Sequence, residues 1–420
     1  MREMKDSGIE WIGRIPAEWR VLPAKAAFRE SKARRSDDDV RLTPSQNYGV
    51  VSQADYMRIT GSKIVLADKG LESWKHVEPN DYIMHLRSFQ GGLEMSHITG
   101  CVTWHYIVLK ANRTVCHDYY KHLFKSVGYI DGLRSTCQYL RDGQDLRYSN
   151  FIQVPLPEPP IDEQEKIAAF LDAKCAEIDA AIAAAEASIE EYELYRKSVI
   201  FQAVTKGLDD SVEMKDSGIE WIGAIPKSWT ITRGKYLYAK HKDIAGTASE
   251  NFERLALTMN GVIKRSKEAS DGLQPANFDG YQILYKGDLV FKLIDLQNIS
   301  TSRVGLSPYT GLVSPAYIVV TPFDKCDSRY LENFYLTMWR NEIFNAMGSG
   351  VRQSLGYSEL SNSPVTLPSL SEQKCIAEYV ARLNKRIDKI VATKQDVIEE
   401  LKDYKKSLIY EVVTGKREVS

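Results

Sequence analysis

Between Asp162 and Lys206 the apolar positions recur at alternating steps of three and four. They are Leu171, Cys175, Ile178, Ile182, Ala185, Ile189, Tyr192 and Val199, interrupted by Arg196. That spacing is the a/d seam of a coiled-coil helix. The stretch contains no Pro or Gly and is rich in Ala, Glu, Lys and Leu. Asp162 followed by Glu165 three residues on has the form of a capping box. About 45 residues rising about 1.5 Å each make a rod of roughly 65 Å, and a rod with one apolar stripe needs a partner. Ser371 to about Gly415 supplies it. Shifted by 371 − 162 = 209, the two stretches align without a gap: Glu163, Gln164, Ile167, Ala168, Ile178, Asp179, Tyr195 and Lys197 recur as Glu372, Gln373, Ile376, Ala377, Ile387, Asp388, Tyr404 and Lys406. A second repeat precedes each rod. Residues 3–19, EMKDSGIEWIGRIPAEW, return at 213–229 as EMKDSGIEWIGAIPKSW, with fourteen of seventeen positions identical. Mixing Gly and Pro with Trp, each copy predicts an irregular strap that lays its aromatics on something apolar. That surface is either its own domain or a partner.

Between strap and rod lie two bodies with short β-like runs and turn signals. In the first, from Leu22 to about Asn150, strands are expected at 63–67, 81–86 and 101–110, and a short helix at 119–127. In the second, from near Ile231 to about Ser363, strands are expected at 281–284, 288–293 and 312–321. Faint likeness persists between the bodies, as in Gly49-Val-Val against Gly261-Val-Ile. Each body ends in a Pro-containing connector, 154–160 and 364–368. The order strap, body, rod, strap, body, rod predicts an α+β protein in which two similar globular domains are joined by two long antiparallel helices about a pseudo-two-fold axis. Thr414-Gly415 should then finish near the first strap.

The 420 residues and 43% hydrophobic content allow two or three domains with sizeable cores. A net charge of −1 excludes a polycation, so any nucleic-acid site must be a local patch. Six cysteines without a C-x-x-C fit a reducing, cytoplasmic setting. The charged start lacks a signal-peptide core, and no apolar run is long enough for a membrane span. No phosphate-binding P-loop, G-x-S-x-G, H-E-x-x-H or dinucleotide fingerprint occurs, and no tetrapeptide of the adenine-methyltransferase kind. Six of the seven histidines fall in the first body without metal-ligand spacing, so no metal or cofactor is expected.

What remains is polar and basic side chains in loops. In the first body these are Arg87, Gln90, Arg134, Gln138, Arg141, Gln144 and Arg147. In the second they are Lys264, Arg265, Lys267, Lys292, Gln297, Asn298, Arg303, Arg352 and Gln353. Arg pairs with guanine edges, Asn and Gln with adenine, and Lys neutralises phosphate. The candidates carried forward are Arg87, Gln90, Arg134, Arg141, Arg147, Lys292, Arg303, Arg352 and Gln353.

The strap KDSGIEWIGxIPxxW, the LP…EQ…IA opening of each rod and the Tyr-Arg/Lys-Lys-Ser…Val-Thr close resemble the specificity subunits of Type I restriction–modification systems, over essentially the whole chain. The resemblance implies a non-catalytic subunit. Its two target-recognition domains would read a bipartite, asymmetric target on double-stranded DNA. Two methyltransferase subunits and the restriction subunits would dock on its conserved parts. It also implies the division 1–155 (strap and first recognition domain), 156–208 (first helix), 209–366 (strap and second recognition domain) and 367–420 (second helix). Docking candidates are Trp11, Trp19, Trp221, Trp229, Tyr195 and Tyr404. Base-reading residues do not transfer by motif, because the family varies its recognition domains. Two other classes compete: a fused enzyme with a hidden site, and a coiled-coil adaptor that reads no DNA.

Overall fold

The computed structural model describes residues 2–63, 70–85, 87–137, 146–267, 277–297, 301–348 and 354–419. The chain forms two compact units. The first is Met1–Glu186 with Gln395–Ser420, and the second is Ala187–Lys394. The two rods are single helices, α1 (Ile161–Lys206) and α2 (Leu370–Val413), and each contributes to both units. Helix α1 begins one residue before Asp162, so Asp162 and Glu163 lie in its first turn instead of capping it.

Within each unit the helix segments run antiparallel. In the first, Glu163 and Gly415 both lie against Trp19, while Lys405 bonds Asp179 at 2.7 Å. In the second, Gly207 sits beside Glu372, Arg196 bonds Asp388 at 2.6 Å, and Lys394 stands 5.9 Å over the Tyr192 ring. The predicted seam is fully buried at Leu171, Cys175 and Ile178, and half-buried from Ile182 to Val199. Arg196 interrupts the apolar series because it pairs with Asp388.

The units share one plan. Each has a four-stranded antiparallel sheet with the same strand order. In the first unit it is Phe28–Glu30, Ile107–Ala111, Tyr82–Met84, Glu94–Met95; in the second, Tyr238–His241, Ile318–Pro322, Leu289–Phe291, Val304–Leu306. A second β layer follows. In the second unit it is a continuous four-stranded sheet of Gly261–Arg265, Arg254–Thr258, Gly311–Val313 and Gln282–Leu284. In the first it is split into the ribbon Leu42–Ser45/Gly49–Ser52 and the pair Lys75–Val77/Gly100–Val102, linked by a bridge from Arg41 to Cys101.

The runs expected at 101–110 and 312–321 each divide into two strands around a turn, at 103–106 and 314–317. The expected helix at 119–127 is His117–Leu123, and a second helix starts at Val127. Most of the strand expected at 63–67 lies outside the described residues.

Both straps are β-hairpins and not irregular: Met4–Asp6 pairs with Arg14–Pro16, and Met214–Asp216 with Ala224–Pro226. The KDSG signature builds the turn. Asp6 Oδ1 accepts the Gly8 N–H at 3.0 Å, Asp216 does the same for Gly218, and both glycines hold φ near +70°. The Pro-containing connectors are also strands, Leu156–Glu158 against Arg20–Leu22 and Pro364–Leu367 against Thr230–Arg233.

The repeated Glu-Gln at each rod's start clasps these parts together. Trp19 donates its indole N–H to Glu163 at 2.8 Å, and Trp229 donates to Glu372 at 2.9 Å. Gln164 accepts the Cys116 N–H and donates to the Pro159 carbonyl; Gln373 accepts the Asp327 N–H and donates to the Pro368 carbonyl. Each rod also ends against a strap. Gly415, in the left-handed conformation, packs on Pro16 and Trp19, where a Cβ would collide with the proline ring. Thr414-Gly415 therefore finishes at the first strap, as the repeat predicts.

Candidate nucleic-acid interface

In the first unit the strand Tyr82–Met84 runs out into a pinned loop. Ser88 Oγ accepts the His85 N–H at 2.8 Å, and His85 Nδ1 accepts the Arg87 N–H at 2.9 Å. Burial, then the neighbouring Arg87 charge, pushes the His85 imidazole down, which suits its role as an acceptor. The loop leaves Arg87 and Gln90 exposed. Close by, the His85 ring contacts Tyr106 at 5.4 Å, and the 103–106 turn presents Trp104, 56% exposed and stacked 3.5 Å from His105. Arg134 is exposed on the helix Val127–Ser135 and pairs with Asp131 at 2.6 Å. Arg147 is exposed at the start of Tyr148–Phe151. Arg141 lies outside the described residues.

The equivalent end of the second unit is built differently. Lys292 is half-buried and donates to Thr301 Oγ1 at 3.0 Å; burial, with Arg303 nearby, pushes its ammonium down. Arg303 is 0% exposed and donates to the Asp295 carbonyl at 2.6 Å, at a residue held with φ of 53°. The structure thus encloses Arg303 within its own unit. Arg352 and Gln353 lie outside the described residues.

The docking candidates separate by depth. Trp19 and Trp229 are fully buried and committed to Glu163 and Glu372. Trp11 is half-buried, edge-on to Tyr129 at 5.8 Å, and its carbonyl accepts the Tyr410 hydroxyl. Trp221 is half-buried against Phe334. Tyr195 and Tyr404 are exposed on the long helices.

The two ribbons are surface features absent from the candidates carried forward, although Lys264 and Arg265 of the second were among the basic side chains read from the sequence. The first, Leu42–Ser45/Gly49–Ser52, carries Gln46, Asn47 and exposed Tyr48 at its tip. It leads into the helix Gln53–Thr60, none of whose residues is buried. The second, Arg254–Thr258/Gly261–Arg265, turns at exposed Met259 and Asn260. The signal for the second was in the charge pattern: residues 254–267 hold Arg254, Lys264, Arg265 and Lys267 and no acid, whereas residues 42–52 hold no charge at all.

No helix among the described residues is long and apolar enough to cross a membrane. Comparison with known proteins places this architecture. The Type I restriction modification DNA specificity domain model matches residues 230–400, which covers the second body and most of α2. The chain is similar to the type I restriction enzyme MjaVIII specificity subunit of Methanocaldococcus jannaschii, at 24% identity over 63% of each chain. It is also similar to the putative MjaX specificity subunit of the same organism, at 21% identity over 96% of this chain and 95% of that one. Among solved structures, a chain of a type I R-M system studied for complex assembly and conformational transition superimposes with a TM-score of 0.69 at 14% identity, covering 96% of this chain and 99% of that one. The HsdS subunit of Thermoanaerobacter tengcongensis gives 0.54 at 14% identity, covering 96% and 98%. The matched domain lies on one half of a chain whose other half repeats its strap, clasp and sheet order, and the fold likeness spans both halves: the second half carries a Type I restriction modification DNA specificity domain, and the chain over nearly its whole length is similar to Type I specificity subunits.

Proposed function

We propose that this chain is the sequence-reading subunit of a Type I complex, with no chemistry of its own. Residues 1–155 and 209–366 act as strap-bearing recognition domains, and 156–208 and 367–420 as the helical frame. Each recognition domain reads one half of a bipartite, asymmetric site on double-stranded DNA. Two methyltransferase subunits dock on the repeated parts, and restriction subunits join them. Arg87, Gln90, Arg134, Arg141, Arg147, Lys292, Arg303, Arg352 and Gln353 belong to the domains that face DNA. The exposed Tyr195 and Tyr404, with the half-buried Trp11 and Trp221, belong to the docking surfaces.

One observation carries the reading. The strap–Trp–Glu-Gln clasp recurs with the same Trp-to-Glu and Gln bonds in both units, while the outer ribbons differ in charge and the loops in sequence. A repeated frame holding two unlike faces is what an asymmetric two-part target requires. The test is to express the chain with its cognate methyltransferase subunit and map methylated bases genome-wide. A parallel culture carries residues 231–363 replaced by those of a relative. The expected result is a bipartite motif in which the replacement changes one half-site only. A motif that ignores the replacement would leave the chain an adaptor, and methylation by the purified chain alone would make it an enzyme.

A further inference from the structure

Strand direction gathers three features at one end of the four-stranded sheet in each unit. In the first unit Phe28–Glu30 and Tyr82–Met84 both run antiparallel to Ile107–Ala111, with Glu30 opposite Leu109 and Met84 opposite Ile107. The residues that follow the first two strands therefore share an end with the turn that precedes the third. They are Lys32, the loop from His85 to Gln90, and the turn 103–106. In the second unit Lys240 holds the register position of Glu30, and Phe291 that of Met84. The matching features are thus Lys242, Lys292 and the turn 314–317. Lys32 and Lys242 are both exposed. The turns differ: Trp104 and His105 of the first unit stand where the second has Pro315 and Ala316.

Among the described residues Trp104 is the one exposed tryptophan, at 56%. A fixed turn holds it in that position. The Tyr106 N–H donates to the Thr103 carbonyl at 3.1 Å, and Lys75 Nζ donates to the Tyr106 carbonyl at 2.8 Å. The Tyr106 ring packs on the small core of Val50, Ile83 and Val108 and lies 5.4 Å from the His85 ring. His105 backs one face of the indole, with ring centroids 3.5 Å apart and planes 28° from parallel. The exposed part of Trp104 is then its other face and its edge. Carboxylates at this end of the sheet are paired: Glu30 with Lys75 at 3.3 Å, and buried Glu94 with Lys125. Glu78 and Asp81 precede the strand Tyr82–Met84 and so lie at the opposite end. Exposed Lys32 and Arg87 follow the strands on either side of the one that Trp104 precedes.

Building on the function proposed above, we infer that Trp104 is a wedge that stacks on one base at an opened step of the first half-site, with Lys32 and Arg87 on the flanking phosphates. An aromatic face stacks on any base, and large apolar side chains hold base steps open. The backing by His105 decides the mode. A ring with one free face meets one base of an opened step, whereas insertion through an intact stack needs both faces. The flanking cations favour a nucleic acid as the occupant, because lysine and arginine position a protein on phosphates. Pyrimidine–purine steps open most readily, so the wedge selects one of them without a hydrogen bond to its edges. Pro315 and Ala316 offer no aromatic face, so the second half-site lacks this contact.

The experiment uses the full chain in complex with its methyltransferase subunits, carrying Trp104→Ala, Trp104→Phe or His105→Ala. The parental motif is mapped first by genome-wide methylation. Binding is then measured on duplexes of that motif, intact or with one base removed at successive positions of either half-site. On the intact duplex Trp104→Ala should weaken binding roughly fivefold to 150-fold, the span of one stacked base. That deficit should vanish when the base at one position of the first half-site is missing, because nothing is left to stack on. It should persist for every position of the second half-site. Trp104→Phe should recover most of the affinity. His105→Ala removes only the backing ring; its smaller deficit should vanish at the same position, which gives an independent arm if Trp104→Ala lowers the melting temperature. Undiminished binding by Trp104→Ala would overturn the inference, and so would a deficit that survives every base removal. Loss of the methyltransferase subunits from the Trp104→Ala complex in gel filtration would make the turn a protein-docking face and overturn it too. These outcomes presuppose a parental bipartite motif; its absence would sink the proposed function itself.

Discussion

The buried hydroxyl of Tyr119 donates to the main-chain carbonyl of Val413, 2.8 Å away and 294 residues later in the chain. Val413 is the last residue of α2, where backbone carbonyls lack helical partners. Burial holds the Tyr119 phenol well above its usual range, so it stays a donor. The second unit meets the same need twice over: the Val204 carbonyl, near the end of α1, accepts from both Tyr330 at 3.2 Å and Thr366 Oγ1 at 2.8 Å. A side chain from each β body thus closes the end of a long helix.

The difference predicts unequal mutants. Tyr119→Phe strands a buried carbonyl and should cost about 1–3 kcal/mol of stability. Tyr330→Phe leaves Thr366 on the Val204 carbonyl and should cost less. Urea unfolding monitored by hydrogen exchange in each unit reads both. Equal losses would show that these hydroxyls do not act as carbonyl partners.

The clasp predicts a similar inequality. Glu163 is held by Trp19 and, in a paired contact, by Arg2; the position equivalent to Arg2 is Val212, so Glu372 has no such arginine. Trp229→Phe should cost about 1.5–3 kcal/mol, the range for a hydrogen bond to a charged group. Trp19→Phe should cost less, because Arg2 remains on the carboxylate. Denaturant midpoints of the two variants check the order.

Acid should weaken the first unit first. His85, His117 and His122 all have imidazoles pushed down by burial; for His122 this outweighs the 2.7 Å contact with Asp172, which pulls the other way. Below the unfolded value of about 6.5 the open chain takes up protons that the folded unit refuses, so stability falls as pH falls. Exchange protection of residues 1–186 should drop between pH 7.5 and 5.5, and His122→Asn should flatten the slope. A flat profile for the parent would remove buried imidazoles as the cause.

The long helices and the twofold repeat were legible because both are local signals. A seam at three-four spacing and fourteen identities in seventeen residues do not depend on what lies across the core. Even the Glu-Gln clasp was visible as a recurrence, though not as a pair of bonds to Trp19 and Cys116. The strand breaks at 103–106 and 314–317 were masked by Trp104, Tyr106 and Tyr317, which keep each run rich in large apolar side chains, although Ser314-Pro315 is a turn signal that the strand reading passed over. Depth was hidden as well. Trp19 and Trp229 carry the same residue type as Trp11 and Trp221, yet only the tertiary fold puts the first two inside, against Glu163 and Glu372. Arg303 read as a surface cation, whereas the turn at Asp295 folds a backbone carbonyl over its guanidinium. Composition placed four cations in residues 254–267, but which of them share the face away from the core, as Arg254 and Arg265 do, depends on strand register. A slip of one residue would send Arg254 and Arg265 into the core and Leu255 into solvent. The burial of Leu255, Leu257 and Val262 against Leu284 and Val313 fixes that register, and this packing exists only once the sheet has formed.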